Sequence, residues 1–238
     1  MKSPLSGATW QAVEATASTQ RDLAALVQKG EFVGALWAKH QTEGKGRFGR
    51  EWYSEAGNSL TISLAFHEYA DHPKPWLIGM AVGLAAASAC HCKIAWPNDL
   101  VLQGKKVGGI LTELVTNPDG RLIPVVGVGI NFAVAEFPDG LTESAANVHQ
   151  GAVSADDVEQ LAKDLIDRIE GLPEPDAWSS LRPVWSLFDA TPQKQYRLAN
   201  GGDAIGMGIG PEGELICSVE GETQTVLAAD AIFGPASS

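Results

Sequence analysis

Between Lys39 and Arg50 the chain reads KHQTEGKGRFGR. Four cations, Lys39, Lys45, Arg47 and Arg50, fall within these twelve residues, and Glu43 is the one acid among them. The whole protein carries a net charge of −12, so the local excess is conspicuous. Arginine offers a planar fork of donors suited to carboxylate or phosphate oxygens. Glycines at 44, 46 and 49 let the backbone come close to a ligand. The same spacing fits G-x-G-x-x-G, a dinucleotide turn, which requires a strand before it and a helix opening at its last glycine. Residues 31–41 satisfy the first condition. The second fails, because Trp52, a Gly57-Asn58 turn and a period-two stretch follow instead. A nucleotide P-loop fails too, since no G-K-[ST] closes the loop. Two readings of the loop stay open on its own evidence: an anion-handling flap, or a solvated hairpin with ordinary surface charges.

Two further clusters favour the first. WPNDLVLQGKKVGGIL, 96–111, places Asn98 and Asp99 after a Trp-Pro step that excludes helix. These side chains can orient a ligand or the water shell of a divalent cation. Lys106 follows, then Gly108-Gly109 inside an apolar strand, where glycine often marks close approach. Later, GVGIN ends an apolar run on Asn131, which suits a strand cap or a ligand contact.

The elements that must position these residues are legible in outline. At 238 residues with 45% hydrophobic and 19% charged content, the chain is globular and has room for a sizeable core. Its acidity argues against broad attachment to nucleic acid. The N-terminus has no continuous apolar core of the leader type. The apolar stretch 75–90 is short for a bilayer and reads as a buried helix. Cytoplasmic location is expected, in line with three sparse cysteines, Cys90, Cys92 and Cys217. Cys90-His91-Cys92 has no second ligand cluster, so small buried thiols are expected there rather than zinc.

Residues 17–29 read as a helix with the stripe Leu23, Leu26 and Val27, capped by Ser18 or Thr19. Residues 31–41 read as a strand with Val33, Ala35 and Trp37 on one face. Leu60, Ile62, Leu64 and Phe66 alternate with Thr61, Ser63 and Ala65, predicting a half-buried strand. Further strands are expected at 99–103, 107–116 and 121–130, with a short one over 92–97 that ends at Pro97. A helix from 155 is capped by Ser154, with the stripe Val158, Leu161, Leu165 and Ile169. A shorter helix within 175–190 carries a proline interruption. From about 190 the glycine-rich tail, with apolar runs such as LICSV and TVLAADAIF, reads as a small β module. The class is α+β, a mixed and largely antiparallel sheet packed with helices, with expected domains 1–188 and 189–238.

The motifs together resemble the biotin protein ligases, within the wider biotin/lipoate ligase superfamily. Gln41 to Trp52 is similar to the family's Q-x-x-G-R-G-R-x-G-R-x-W loop. Trp96-Pro97-Asn98-Asp99 with Lys106 and Gly109-Ile110-Leu111 resembles K-W-P-N-D…K-x-x-G-I-L. Gly127 to Asn131 resembles G-x-G-I-N, and Ser18-Thr19-Gln20 the S-T-N segment. The chain departs from the pattern at Ala95, where the family has lysine, at Lys45, where it has arginine, and at Gln20, where it has asparagine. No DNA-binding segment is expected before residue 18.

The resemblance implies a two-step ligase that uses biotin, ATP and Mg²⁺. Biotin is first activated as biotinyl-5′-AMP, then passed to a lysine of a carrier such as the biotin carboxyl carrier protein of acetyl-CoA carboxylase. It assigns Arg47 and Lys106 to catalysis, at the junction of carboxylate and α-phosphate. Ser18, Thr19, Gln41, Gly44 and Gly109, with Arg47 and Lys106, would line the biotin pocket. Arg50, Trp52, Asn98, Asp99 and Asn131, with the same two cations, would serve ATP. No protein metal ligand is assigned beyond Asp99 as a neighbour of Mg²⁺. Nucleic acid and membrane are not expected partners, and an edge strand could pair two subunits. The alternative is a diverged member that binds biotin or another acyl acid, such as lipoate, without ligating it.

Overall fold

The computed structural model describes residues 1–198, 201–227 and 231–232. A seven-stranded sheet forms its centre, in the order β1 (Thr9–Thr16), β2 (Val33–Gln41), β5 (Ser59–Ala65), β9 (Leu122–Asn131), β8 (Lys105–Thr116), β7 (Asp99–Leu102) and β6 (Lys93–Ala95). β1 and β2 are parallel and every other neighbouring pair is antiparallel. β3 (Gly44–Lys45) and β4 (Glu51–Trp52) make a separate small hairpin. The mixed α+β class expected from sequence is the class observed.

Each face of the large sheet is covered differently. One face carries α2 (Trp76–Ala89), α3 (Ala155–Glu170) and α4 (Trp178–Phe188) over the larger core. Trp37, Leu60, Ile62, Leu64, Val126, Val128 and Ile130 point into it. The stripe Val158, Leu161, Leu165 and Ile169 of α3 is buried there. The opposite face carries α1 (Thr19–Gln28), whose Leu23 and Val27 pack with Leu36, Ala65, Val115, Ile123 and Val125. α1 covers part of this face, and another part is the floor of a cleft.

Local chemistry accounts for the element ends. The Ser18 hydroxyl accepts from the Arg21 amide at 3.4 Å, capping α1. At α3, Ser154 and Asp157 cap reciprocally, each accepting the other's backbone N–H, at 3.2 and 2.8 Å.

Three departures from the expected elements have physical reasons. β1 lacks clear period-two patterning because it is an exposed edge strand, and it is absent from the expected list. Val33 does not share a face with Ala35 and Trp37. The pairing shifts between Thr9↔Val33 and Trp10↔Ala35, so an extra residue on β2 turns Val33 toward α1. β5 is buried along its whole length rather than on one face, because helices cover one side and α1 with the cleft covers the other.

The tail forms a five-stranded antiparallel sheet, β13-β12-β11-β10-β14, from β10 (Gln195–Leu198), β11 (Asp203–Ile209), β12 (Leu215–Val219), β13 (Glu222–Val226) and β14 (Ala231–Ile232). The apolar run expected over 225–233 lies partly outside the described residues. Trp96, from the large sheet's end, completes the small core with Tyr196, Leu198, Ala204, Leu215 and Cys217.

Candidate active-site cleft

Pairing across the sheet sets one row of residues on the cleft face: Ala95, Asp99, Gly109, Gly129 and Thr61. Directly opposite residues on neighbouring strands share a face. The next row brings Gly127 beside Ser63. The two glycines of GVGIN are therefore spaced by two so that both open the cleft floor, while Val126, Val128 and Ile130 between and beyond them fill the helix core. The cleft has a volume of about 510 Å³.

Its first end is neutral and built of hydrogen-bonded side chains. Gln41 Oε1 accepts from the Thr19 amide at 2.8 Å and from the Thr19 hydroxyl at 3.1 Å. Thr19 and Ser63 hydroxyls lie 3.0 Å apart. Ser63 donates to Gln20 Oε1 at 3.0 Å, and Gln20 Nε2 donates to the Val125 carbonyl at 3.1 Å. Ser18, Thr19, Gln20, Gln41 and Ser63 are all buried. A satisfied buried network of this kind holds each side chain in one orientation. It also explains Gln20: its longer amide spans from α1 to the backbone of β9.

The glycine-rich loop closes over the floor as the β3–β4 hairpin. A short 3₁₀ turn, Arg47–Gly49, forms its tip, with Phe48 at φ 59°. The Trp52 ring lies on the floor. A Cβ on Gly129 would stand 2.4 Å from the indole, inside contact distance, so only glycine admits the ring at that spot. A Cβ on Gly109 would meet the same ring and the Lys106 side chain only at ordinary contact distance. Gly44 is held against Gln41 Nε2 and the Trp52 carbonyl, each 2.5 Å from where its Cβ would be.

The second end is cationic. Lys106 Nζ pairs with Asp99 Oδ1 at 2.6 Å and stands 5.9 Å from the Trp52 ring centroid. The Arg47 guanidinium donates to Asn98 Oδ1 at 3.4 Å and lies over the Phe48 ring at 4.8 Å. Burial pulls Arg47 below its ordinary pKa, and the Asp99 charge offsets part of that. Asn98 is itself locked to β8, donating to the Ile110 carbonyl at 2.8 Å. Arg50, Lys45 and Glu51 also line the cleft. Lys106 is anchored through its backbone, with its N–H on the Ser144 carbonyl at 2.8 Å and its carbonyl accepting from Ala146 at 2.9 Å. Asn131 Nδ2 donates to the Ala146 carbonyl at 3.2 Å, so it braces this same wall.

Every residue assigned from sequence thus lines one cleft: Ser18, Thr19, Gln41, Arg47, Arg50, Trp52, Asn98, Asp99, Lys106, Gly109 and Asn131, with Gly44 packed behind Gln41. Sequence reasoning left out Ser63 and Thr61, which period-two alternation had already set on one face. It also left out Lys194, which no motif marks. Ala95 is fully buried, and as alanine it brings no charge to the cleft face. Lys93 does not replace it, because its ammonium is exposed and donates to the Leu187 carbonyl at 2.8 Å.

Comparison with known proteins gives one answer. The model of the biotin/lipoate A/B protein ligase family matches residues 14–131. The biotin–[acetyl-CoA-carboxylase] ligase of Paracoccus denitrificans is 32% identical over 222 residues, covering 84% of this chain and 91% of that one. The ligase of the same name from Mycobacterium tuberculosis is 29% identical, covering 95% and 90%. The match to the bifunctional ligase/repressor BirA of Bacillus spizizenii and Bacillus subtilis, at 34% identity, takes in 57% of this chain and 44% of theirs, so the chain spans less than half of their length. Biotin protein ligase from Aquifex aeolicus shares the fold, with a TM-score of 0.69 at 20% identity over 94% of this chain and 98% of that one. On the Paracoccus relative and the family match together, this chain belongs to the biotin/lipoate A/B protein ligase family.

Proposed function

We propose that the protein is a biotin–[carboxyl carrier protein] ligase. One observation supports this above all: a single cleft joins a neutral, hydrogen-bonded end to a cationic end across a glycine floor. That polarity suits an uncharged polar head group at one extreme and a carboxylate meeting a phosphate at the other. Relatives named as biotin–[acetyl-CoA-carboxylase] ligases, and an Aquifex aeolicus structure described as a complex with biotin and ATP, agree with it. The sequence 1–188 would be the catalytic unit and 189–238 the β unit that closes the cleft.

In the first step a biotin carboxylate oxygen attacks the α-phosphorus of ATP, and the bond to pyrophosphate breaks. Two anions must meet, so fixed cations lower the barrier most. Arg47 and Lys106 carry that role, and the ion pair with Asp99 keeps Lys106 aimed. Ser18, Thr19 and Gln41 orient the head group, with Gly44 leaving room for Gln41 and Gly109 part of the floor. The Trp52 ring, seated on Gly129, covers the middle of the cleft. Arg50, Asn98 and Asn131 serve the nucleotide, directly or by holding its walls. In the second step a carrier lysine amine attacks the acyl carbon and AMP leaves.

Mg²⁺ enters as the counter-ion of the triphosphate. Among the described residues no group of three carboxylate, imidazole or thiol side chains gathers to hold a metal by itself. Asp99 and Glu51 are carboxylates on the cleft wall that could meet the ion's water shell. No helix among the described residues is long and apolar enough to cross a membrane. The proposed reaction would have a carboxyl carrier protein as partner and the cytoplasm as its place.

Incubation with ATP, Mg²⁺ and a mixture of biotin, lipoate and octanoate, followed by mass spectrometry, tests the reading. Biotinyl-adenylate is expected. Tight biotin binding with no adenylate would instead favour a diverged binding protein, the reading that the departures at Ala95 and Lys45 motivate.

A further inference from the structure

The cleft has a wall that the family motifs do not mention. Lys194, Gln195, Tyr196 and Arg197, at the start of the second sheet, face the floor across it. This wall is fixed to the large sheet through the segment that carries Ala95 and Asp99. The Ala190 amide donates to the Ile94 carbonyl at 2.9 Å. The Trp96 amide donates to Thr191 Oγ1 at 3.1 Å, and its indole N–H to the Gly213 carbonyl at 2.8 Å. Its ring meets Tyr196 edge-on at 6.0 Å. The Lys194 backbone is pinned at both ends, its N–H on the Thr191 carbonyl at 3.2 Å and its carbonyl accepting from Gly206 at 2.8 Å.

Lys194 is half-buried, with its ammonium 5.9 Å from the Tyr196 ring. Burial pulls its pKa down, Asp99 pulls it back up, and Lys106 pushes it down again. Asp99 is already engaged with Lys106 at 2.6 Å. Among the described residues Lys194 has no carboxylate within ion-pair distance. Lys106 and Lys194 line one cleft with Asp99, whose charge is taken up by Lys106, which leaves excess positive charge in a partly desolvated place. Such charge is costly in the free protein and is relieved when an anion joins it.

We propose that Lys194 binds the β- and γ-phosphates of the nucleotide, so that the second sheet supplies a cation to the leaving pyrophosphate. This rests on the ligase reading above. A biotin carboxylate brings one negative charge, which Arg47 and Lys106 meet. A triphosphate brings several more, and Lys194 faces them from the wall opposite the glycine floor. The position that carries the motif lysine in the family is Ala95 here and brings no cation. The cation therefore comes from a different module, fastened to the same segment by Trp96.

Lys194→Ala and Lys194→Arg test it, through biotin-dependent ATP–pyrophosphate exchange and calorimetry with MgATP alone. For Lys194→Ala, KM for ATP rises on the order of tenfold, as for loss of one charge-assisted contact. KM for biotin stays within about twofold, the scatter expected of an uninvolved site. Lys194→Arg keeps most of the wild-type ATP affinity, since the charge remains. An unchanged ATP KM in Lys194→Ala overturns the proposal. So does a parallel rise in biotin KM, or a Lys194→Arg variant as weak as alanine. If the wild-type protein shows no biotin-dependent exchange, the ligase reading fails by itself. The MgATP titrations then decide about Lys194: a tenfold loss in the alanine variant sustains it, and equal affinities end it.

Discussion

The two ends of the cleft are built in opposite ways. The neutral end consists of short, buried side chains on α1, β2 and β5, each bonded to the next. The cationic end consists of long side chains from the β3–β4 hairpin, β8 and the second sheet, most of them partly exposed. The first end can hold one neutral group rigidly, because moving any member breaks a buried hydrogen bond. The second can follow a reaction in which a carboxylate, a triphosphate and an adenylate succeed one another. On the proposed reading, recognition falls to the rigid end and the changing charge to the end built of long side chains.

This contrast can be broken most severely at the cationic end. Lys106→Ala should lower biotin-dependent pyrophosphate exchange on the order of a hundredfold or more, as removal of a transition-state donor does. Arg47→Ala should act in the same direction. Thermal unfolding should barely move for either, since both side chains are partly exposed. Exchange unchanged by both variants would remove them from the chemistry.

Gly129→Ala comes next. Its methyl would meet the Trp52 indole at 2.4 Å and lift the ring from the floor. Biotin affinity should fall on the order of tenfold or more, consistent with an overpacking cost of about 1–3 kcal/mol. Fluorescence of the tryptophans would report the displacement. An unaltered spectrum with unaltered affinity would mean that the ring's seat does not matter.

Thr19→Val sharpens the contrast from the neutral end. It removes a hydroxyl that meets both Gln41 and Ser63, and leaves their polar atoms short of a partner. Biotin affinity should drop by about 1–3 kcal/mol while KM for ATP stays constant. Equal losses for both substrates would show that the two ends are not separable.

The smallest effect belongs outside the cleft. Ser154→Ala should cost roughly 1 kcal/mol of stability and leave exchange unchanged. Bonds to Ser154, first its backbone N–H and then its hydroxyl, hold the Asp157 carboxyl below its ordinary pKa. A carboxyl whose folded pKa is depressed contributes stability above its unfolded value of about 4, and loses it as pH falls through the folded one. Acid unfolding of the wild type should therefore converge on that of Asp157→Asn below this range.

The fold was largely readable where burial produces a period. α1 and α3 carry stripes that match their buried faces, and the ends set by Ser18 and Ser154 follow from side-chain capping. β1 escaped because an edge strand has little to alternate between, and Val33 because a bulge reverses the face of a strand without marking its sequence. Within the site, the loop cations and the motif asparagines were legible from residue type. Ser63 was legible as a face but not as a cleft residue, since alternation says which side chains agree and not what covers them.

The sequence by itself determined the chemistry on offer: cations between glycines, Asp99 seven residues before Lys106, glycines two apart in a strand. Spacing of this kind is local, and the two-residue and 3.6-residue periods carry it directly. Only the tertiary structure decided which of these groups meet. Cross-strand register sets Asp99 beside Gly109 and Gly109 beside Gly129, and chain entry through Trp96 brings Lys194 to a cleft nearly a hundred residues away in sequence from Asp99. Register and docking are long-range consequences of packing, and no local pattern encodes them.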